Sequence, residues 1–499
     1  MSANFAKETK LLKNYINGQW VEPENNGYIE VENPSTGEII ARVPLSTTGE
    51  VNKAIDAAEK AFKTWRFTPV SRRVRYLFKL NEMLRDNEEL IARTLVEEMG
   101  KSLTDARAEM KRVYENIEVA CGMPVLQQGD KIIGSSFDMD GEVLRLPLGI
   151  FCMIAPFNFP AMVPFWFLPY AIATGNTFII KASKQVPMTM QLITDFIDKC
   201  KLPPGVFNLV NGDKAVADAF MNSPKVKGIS IVGSTSTCKI VAQSCAKTNK
   251  RFQAMGSAKN HLVVMPDAKL DDVVRNMTTS CYGCAGQRCM ASSAIIGIGD
   301  MYKTVCEKFI EDSKNVIVGN PLDPGIAEEP TLMGPVISRK AKDFILAMID
   351  TGIKEGAKLA LDGRYKVVKG FEKGYYIGPT VFTDVKPGME IHKTEIFGPV
   401  VVILYAKDLD EAIKIINDHE YGNGASIYTQ NGYYARKFKL EVEVGMIGVN
   451  VGIPAPVAYL PFGGMKESQY ADIKAQGKAI INFYTEDKTI TERYFSEEY

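Results

Sequence analysis

Between residues 49 and 65 the stretch GEVNKAIDAAEKAFKTW sets Val51, Ala54, Ile55, Ala58, Phe62 and Trp65 on one face at helical spacing, which predicts an amphipathic helix. A second helix is expected to open at Thr68-Pro69, a cap residue followed by proline at the first helical position, and to stop at Gly100. A third follows through about Cys121. Residues 124–147 change character: PVLQQGDKIIGSSFDMDGEVLRLP alternates in short runs between turn residues, as a protruding antiparallel element would. Beyond it the apolar runs GIFCMIAP, TFIIKAS, GVFNLV, GISIVG and HLVVMPD alternate with helical segments, the mark of parallel α/β organisation. A second such pattern runs from about 256 to 465. The tail INFYTEDKTITERYF has alternating β-branched residues and is expected to pair with the 124–147 element.

One stretch imitates a membrane span, since no charged residue occurs from Leu146 to Ile180. Pro156, Pro160, Pro164 and Pro169 within it would break the backbone hydrogen bonding that lipid demands, so a buried strand, a loop and a core helix are expected instead. The start MSANFAKETK has no apolar core and argues against a secretory signal. At 499 residues, two or three domains are expected. Lys plus Arg equals Asp plus Glu at 59 each, which leaves no electrostatic case for nucleic acid or an anionic membrane. Nine cysteines are an odd number and a poor disulfide framework, so a reducing, cytoplasmic setting is expected.

The candidate chemistry centres on GQRCMA at 286–291. Cysteine is the most reactive of the ordinary nucleophiles, and the cation of Arg288 beside Cys289 is expected to favour the thiolate. Two other roles were weighed. A zinc site from Cys281, Cys284 and Cys289 lacks a fourth ligand, and a Cys–His pair with His261, His392 or His419 has no supporting motif. No metal is expected.

Eight motifs stand in one order: PFNFP (156–160), KASKQVP (181–187), LPPGVFNLVNG (202–212), VGSTS (232–236), AMGSAKN (254–260), GQRCM (286–290), EIFGPV (395–400) and PFGGMKES (461–468). Together, and with YINGQW at 15–20, they resemble the aldehyde dehydrogenase superfamily over nearly the whole chain. GQRCMA, AKNH and LVNGDK look like its CoA-acylating methylmalonate-semialdehyde dehydrogenase branch. The resemblance implies an α/β fold with a Rossmann-like cofactor domain (1–123 and 148–255), an α/β catalytic domain (256–470) and a small antiparallel β oligomerisation element (124–147 and 471–499) that builds a homotetramer.

The same resemblance makes Cys289 the nucleophile and Asn158 an oxyanion donor. It puts Arg112 and Arg288 on a substrate carboxylate. Phe157, Lys181, Gly233, Ser234, Glu395 and Phe397 would line the NAD or NADP site. Relatives using NAD carry a glutamate three residues after Lys181; here Lys184 stands there and would attract a 2′-phosphate, leaning the choice towards NADP. Hydrolytic relatives read Glu-Leu-Gly-Gly where this chain reads Ala254-Met255-Gly256-Ser257, and that glutamate is their general base. Without it, coenzyme A rather than water is the expected acyl acceptor, and the semialdehyde and coenzyme A are the expected partners. A hydrolytic enzyme with a displaced base is the alternative.

Overall fold

The computed structural model describes residues 9–24, 27–454 and 457–495; the first eight residues, which carry most of the N-terminal stretch read for a secretory signal, lie outside the described residues. Four of the apolar runs pair as parallel strands, joined at one edge by Arg251–Met255, in the order Arg251–Met255, Val226–Val232, Ile150–Ile154, Thr177–Lys181, Phe207–Leu209, while the run HLVVMPD joins the second sheet. Thr177–Lys181 is buried along its whole length, as a strand covered on both faces must be. Antiparallel strands finish both edges: Gln469–Tyr470 beside Arg251–Met255, and Asn14–Ile16 with Gln19–Val21 beside Phe207–Leu209.

The second pattern forms a seven-stranded sheet. Its order is Lys358–Leu361, Thr380–Val385, Val400–Ala406, Ala294–Ile298, His261–Val264, Gly424–Tyr428, Met446–Val449, with the first strand alone antiparallel. The charge-free stretch becomes a strand, a loop and two short buried helices, Met162–Phe165 and Leu168–Thr174, as its prolines require.

The first predicted helix is Thr48–Trp65, opened by a reciprocal capping box between Thr47 and Glu50. The segment read as one helix from Thr68 to Gly100 is two, Val70–Asp86 and Glu88–Met99. Asn87 interrupts it: its backbone leaves the helical region and its amide turns back to the Met83 carbonyl at 2.8 Å. Gly100 ends the second piece in the left-handed conformation, with φ 84°. A third helix, Leu103–Cys121, starts from Ser102, whose hydroxyl accepts from the Asp105 N–H. A small sheet of Lys10–Leu11, Glu38–Pro44 and Tyr28–Asn33, not predicted from the pattern, packs at the N-terminal side.

Residues 124–147 carry the expected antiparallel pair, Lys131–Ser136 and Met139–Pro147. The tail strand Thr485–Arg493 pairs with the second of these over its full length. Arg251 steers the tail into place. Its Nη1 donates to the carbonyls of Asn482 (2.6 Å), Phe483 (2.9 Å) and Thr485 (2.8 Å), just where the short helix Ile480–Tyr484 turns into the strand. Arg251→Ala is therefore expected to cost about 2 kcal/mol. Amide exchange should rise across 485–493 and its partner strand while the parallel strands stay protected; an unchanged exchange pattern contradicts this role.

Candidate active site

The helix Leu270–Tyr282 delivers the chain to Gly283, after which Cys284, Ala285 and Gly286 all take positive φ (52°, 54° and 74°). Two consecutive non-glycine residues in the left-handed region are strained, and such a turn persists only where its surroundings hold it. Here side chains do so. Asp105 accepts from the Cys284 N–H (3.1 Å), and Gln287 Oε1 accepts from the Ile337 N–H (2.9 Å). The carbonyl of Cys289 accepts two amide donors, Asn260 Nδ2 and Asn423 Nδ2, each at 2.8 Å. Asn158, on the loop after strand Ile150–Ile154, donates one N–H to the Gln287 carbonyl at 3.1 Å. Its second N–H remains, next to the nucleophile's turn.

A cavity of about 360 Å³ opens at Cys289. Arg112 and Arg288 both line it, so the structure brings together the three side chains assigned to nucleophile and carboxylate. Phe159, Met162, Trp166, Met290, Val451 and Ile453 make the rest of its wall mainly apolar. The helix Leu103–Cys121 presents Asp105, Ala108, Glu109 and Arg112 to it, an i, i+3, i+4, i+7 stripe on one helical face.

Arg288 favours the Cys289 thiolate, as its charge predicts, but it does not decide the thiol's ionisation. Arg288 Nη2 is paired with Asp105 Oδ1. Burial, then the charge of Glu395, push the Cys289 thiol up to about 12; backbone N–H groups and Arg288 oppose them without prevailing. Arg112 is likewise paired, its Nη1 reaching both Glu115 oxygens at 2.7 Å.

The sequence reading missed Lys101 and Glu109. Lys101 is fully buried and donates to Glu109 (2.5 Å) and to the Asn158 carbonyl (2.7 Å). Glu109 in turn accepts from the Ala161 and Met162 N–H groups, both at 2.9 Å. This pair fixes the loop that carries Asn158. The four-residue stripe on one helix was the available signal, since it repeats charged residues at a spacing that faces a core.

The position opposite the nucleophile also needs correction. Along strand Arg251–Met255 successive side chains point to opposite faces. Ala254 packs with Ile229, Ile231, Val241 and Cys245, whereas Met255 belongs to the cluster against which Cys289 packs. Met255, not Ala254, is therefore the side chain on the nucleophile's side, and it too has no proton-accepting group.

Of the other assigned residues, Phe157, Lys181, Gly233 and Ser234 lie at the carboxyl ends of parallel strands, while Glu395 and Phe397 precede strand Val400–Ala406. Gly233 and Ser234 follow Val226–Val232, and Ser234 caps the helix Thr235–Lys247. A Cβ built on Gly233 would meet nothing nearer than Ile231 Cγ1 at 4.0 Å, so the space before this helix N-terminus is open. Lys181 closes its strand, buried enough that its ammonium is pushed down to about 8, while Lys184 is exposed nearby. Burial raises Glu395 to about 7 although the Ala258 N–H donates to it at 2.9 Å. Phe397, at φ 53°, meets Phe157 edge-on with ring centroids 5.7 Å apart.

The aldehyde dehydrogenase family model matches residues 20–490. The chain belongs to the aldehyde dehydrogenase family. Among its relatives, malonate-semialdehyde dehydrogenase 1 of Geobacillus kaustophilus (strain HTA426) is 42% identical over 98% of each chain. The malonate-semialdehyde dehydrogenase of Lacticaseibacillus casei is 41% identical over the same shares. Among solved structures, the methylmalonate-semialdehyde dehydrogenase of Oceanimonas doudoroffii superposes with a TM-score of 0.95 at 39% identity, covering 98% of this chain and 99% of that one. An NAD complex from Sinorhizobium meliloti 1021 gives the same TM-score and coverage at 38% identity.

This aldehyde dehydrogenase keeps its three histidines together and away from the nucleophile. His261 Nε2 lies 2.8 Å from His392 Nε2, His419 meets both edge-on, and none lines the Cys289 cavity. Burial lowers all three, so they stay neutral. Among the described residues no group of three or more His, Cys, Asp and Glu is placed to hold a metal.

Because Glu395 is ionised above about 7 and opposes the thiolate, Glu395→Gln should make Cys289 more acidic. Alkylation of Cys289 by iodoacetamide at pH 8 in the free enzyme is expected to accelerate several-fold. An equal or slower rate would show that Glu395 does not burden the thiol.

Proposed function

We propose that the protein is a CoA-acylating dehydrogenase of malonate or methylmalonate semialdehyde, giving acetyl-CoA or propionyl-CoA and CO2 with reduction of NAD or NADP. The observation that carries this reading is the single cavity shared by Cys289, Arg112 and Arg288, with Met255 on the nucleophile's side where hydrolytic relatives carry a base. The names of the similar enzymes from Geobacillus, Lacticaseibacillus and Oceanimonas support the substrate class.

In this mechanism the Cys289 thiol gives its proton to solvent and the thiolate adds to the aldehyde carbon. The spare N–H of Asn158 and the backbone N–H of Cys289 stabilise the alkoxide, each donor worth about 3 kcal/mol. Lys101 and Glu109 keep the Asn158 loop rigid while that charge develops. NAD or NADP, held by Lys181, Gly233, Ser234 and Glu395, would supply the hydride acceptor, and oxidation of the Cys289 adduct would give a Cys289 thioester. Arg112 and Arg288 orient the β-carboxylate, whose loss as CO2 is open because the thioester carbonyl accepts the electron pair left behind. Water, with a pKa near ~15.7, needs a base to attack that thioester at neutral pH, and Met255 supplies none. A thiol with a pKa near ~8.5 is already partly ionised, so coenzyme A collects the acyl group.

The cofactor reading rests on Lys181, Gly233, Ser234, Glu395, Phe157 and Phe397, and the open helix N-terminus after Gly233 supports it. Exposed Lys184 beside Lys181 supports acceptance of NADP as well as the NAD held by the Sinorhizobium relative. The three functional parts are taken as cofactor-binding (1–123 and 148–255), catalytic (256–470) and oligomerisation (124–147 and 471–499). Ile132, Ile133 and Phe137 on the hairpin are 62%, 82% and 94% exposed, which supports a homotetramer that covers them. Nine unbridged cysteines support a cytoplasmic setting, and among the described residues no helix is long and apolar enough to cross a membrane.

With malonate semialdehyde and NAD or NADP alone, one stoichiometric burst of reduced cofactor is expected, followed by turnover when coenzyme A is added late. Steady turnover before that addition would favour hydrolysis and overturn the reading. Lys184→Glu is expected to lower the NADP-to-NAD preference in kcat/KM; an unchanged ratio removes Lys184 from cofactor choice.

A further inference from the structure

Asp105 lines the Cys289 cavity from the first turn of helix Leu103–Cys121, and both its oxygens are engaged by the nucleophile's turn. Oδ1 holds Arg288 Nη2; Oδ2 accepts from the Cys284 N–H at 3.1 Å and lies 3.4 Å from the Cys284 thiol. Arg288 Nε completes the ring at 3.4 Å from Cys284 Sγ. A Cβ on Gly283 would fall 2.3 Å from Arg288 Cζ, so the guanidinium lies flat against a glycine that leaves it room. Burial alone would raise Asp105, but Arg288, Lys101 and the Cys284 N–H outweigh it and hold the carboxylate ionised.

The charges around the cavity are therefore matched before substrate arrives. Arg288 is paired with Asp105, Arg112 with Glu115, and Glu109 with Lys101. A substrate carboxylate finds hydrogen-bond donors there but no unspent positive charge, inside a mainly apolar wall. An uncompensated anion in such a place is held at a cost, and its departure as neutral CO2 relieves that cost.

We propose that Asp105 determines the fate of the substrate's β-carboxylate by sharing Arg288 with it, so that the group is recognised yet weakly enough neutralised to be lost. This rests on the semialdehyde reading above. In the Cys289 thioester the bond between Cα and the carboxylate carbon breaks, its electron pair moves into the thioester carbonyl, CO2 leaves, and solvent protonates Cα. No oxidant or reductant is consumed. If Arg288 were released from Asp105, its full charge would stabilise the carboxylate, and transfer to coenzyme A before CO2 loss would compete.

Asp105→Asn keeps the shape and the acceptor for Cys284 while removing the charge. The holoenzyme is assayed with malonate semialdehyde, NAD and coenzyme A, separating malonyl-CoA from acetyl-CoA by mass, and with propanal as the uncharged control. The variant is expected to lower KM for the semialdehyde about tenfold, the equivalent of one charge-assisted hydrogen bond. It should also release malonyl-CoA, and KM for propanal should fall much less than KM for the semialdehyde. Acetyl-CoA as the sole product, with the semialdehyde KM unchanged or raised, would overturn the proposal and leave Asp105 as a support for Arg288. If the asparagine variant does not fold, judged by its thermal transition and propanal turnover, Asp105→Ser carries the same expectations. A wild-type enzyme that forms no CoA thioester from malonate semialdehyde would overturn the functional reading itself, and this proposal with it.

Discussion

The carbonyl oxygen of Cys289 sits between the amides of Asn260 and Asn423, and the rest of the site is built around that clamp. The clamp is needed because the turn before Cys289 has three consecutive left-handed residues and no strand pairing to hold them. Asn260 Nδ2 also donates to the Ala291 carbonyl, and its Oδ1 accepts from the Gly424 N–H. One side chain thus ties the nucleophile's turn to strand His261–Val264 and to its neighbour Gly424–Tyr428. The residues just before it act in the same way. Lys259 donates to the Ile391 and Thr394 carbonyls, and the Ala258 N–H binds Glu395. The short stretch 258–260 therefore spaces the thiol from the carboxylate that opposes its ionisation. A shift in this stretch would move both groups together.

The second organising element is buried charge, and its magnitude explains why it comes in pairs. Removing one partner of a buried ion pair leaves the other uncompensated, at about 3–5 kcal/mol. Lys101 and Glu109 are both fully buried, so neither is a free surface charge available to substrate. Both extend into the backbone around Asn158 and Met162, which converts an electrostatic pair into positional control of a loop. The arginines differ in burial: Arg288 and Asp105 are 16% and 18% exposed, whereas Arg112 and Glu115 are 28% and 26%. The more enclosed pair is the one beside the nucleophile, where a substrate's charge would be least screened.

Much of this was legible in the amino-acid order, and the limits have physical causes. Strongly apolar runs such as TFIIKAS and HLVVMPD had to become central strands, because no other element buries such short runs on both faces. The tail pairing with 124–147 was visible as period-two alternation. The break at Asn87 was not, since the helical spacing continues across it and only a side chain turning back to a carbonyl interrupts it. The hairpin at YINGQW carried a strong turn sequence, Asn17-Gly18, and both residues take the positive φ that such a turn needs. At the site, Cys289, Asn158 and the two arginines were legible as residue types in motifs. The partner of Arg112 was legible too, since Glu115 stands three residues on along the same helix, whereas the partner of Arg288 was not, because Asp105 lies 183 positions away.

The exchange of Ala254 for Met255 as the side chain facing the nucleophile shows how little of the chemical argument depended on which residue it was. A strand alternates faces at every step, so a one-residue error in register transfers every role to its neighbour. What the chemistry needs is the absence of a base at that point, and a thioether satisfies this as fully as a methyl group does. Met255 is 4% exposed and packs in the cluster that also holds Met290 and Phe462. Met255 therefore offers no proton acceptor on that side of the strand. Glu395, raised to about 7 by burial, is the carboxylate felt most strongly by Cys289, yet the Ala258 N–H occupies one of its oxygens. The site thus favours a nucleophile that arrives already ionised, which among biological acyl acceptors means a thiol.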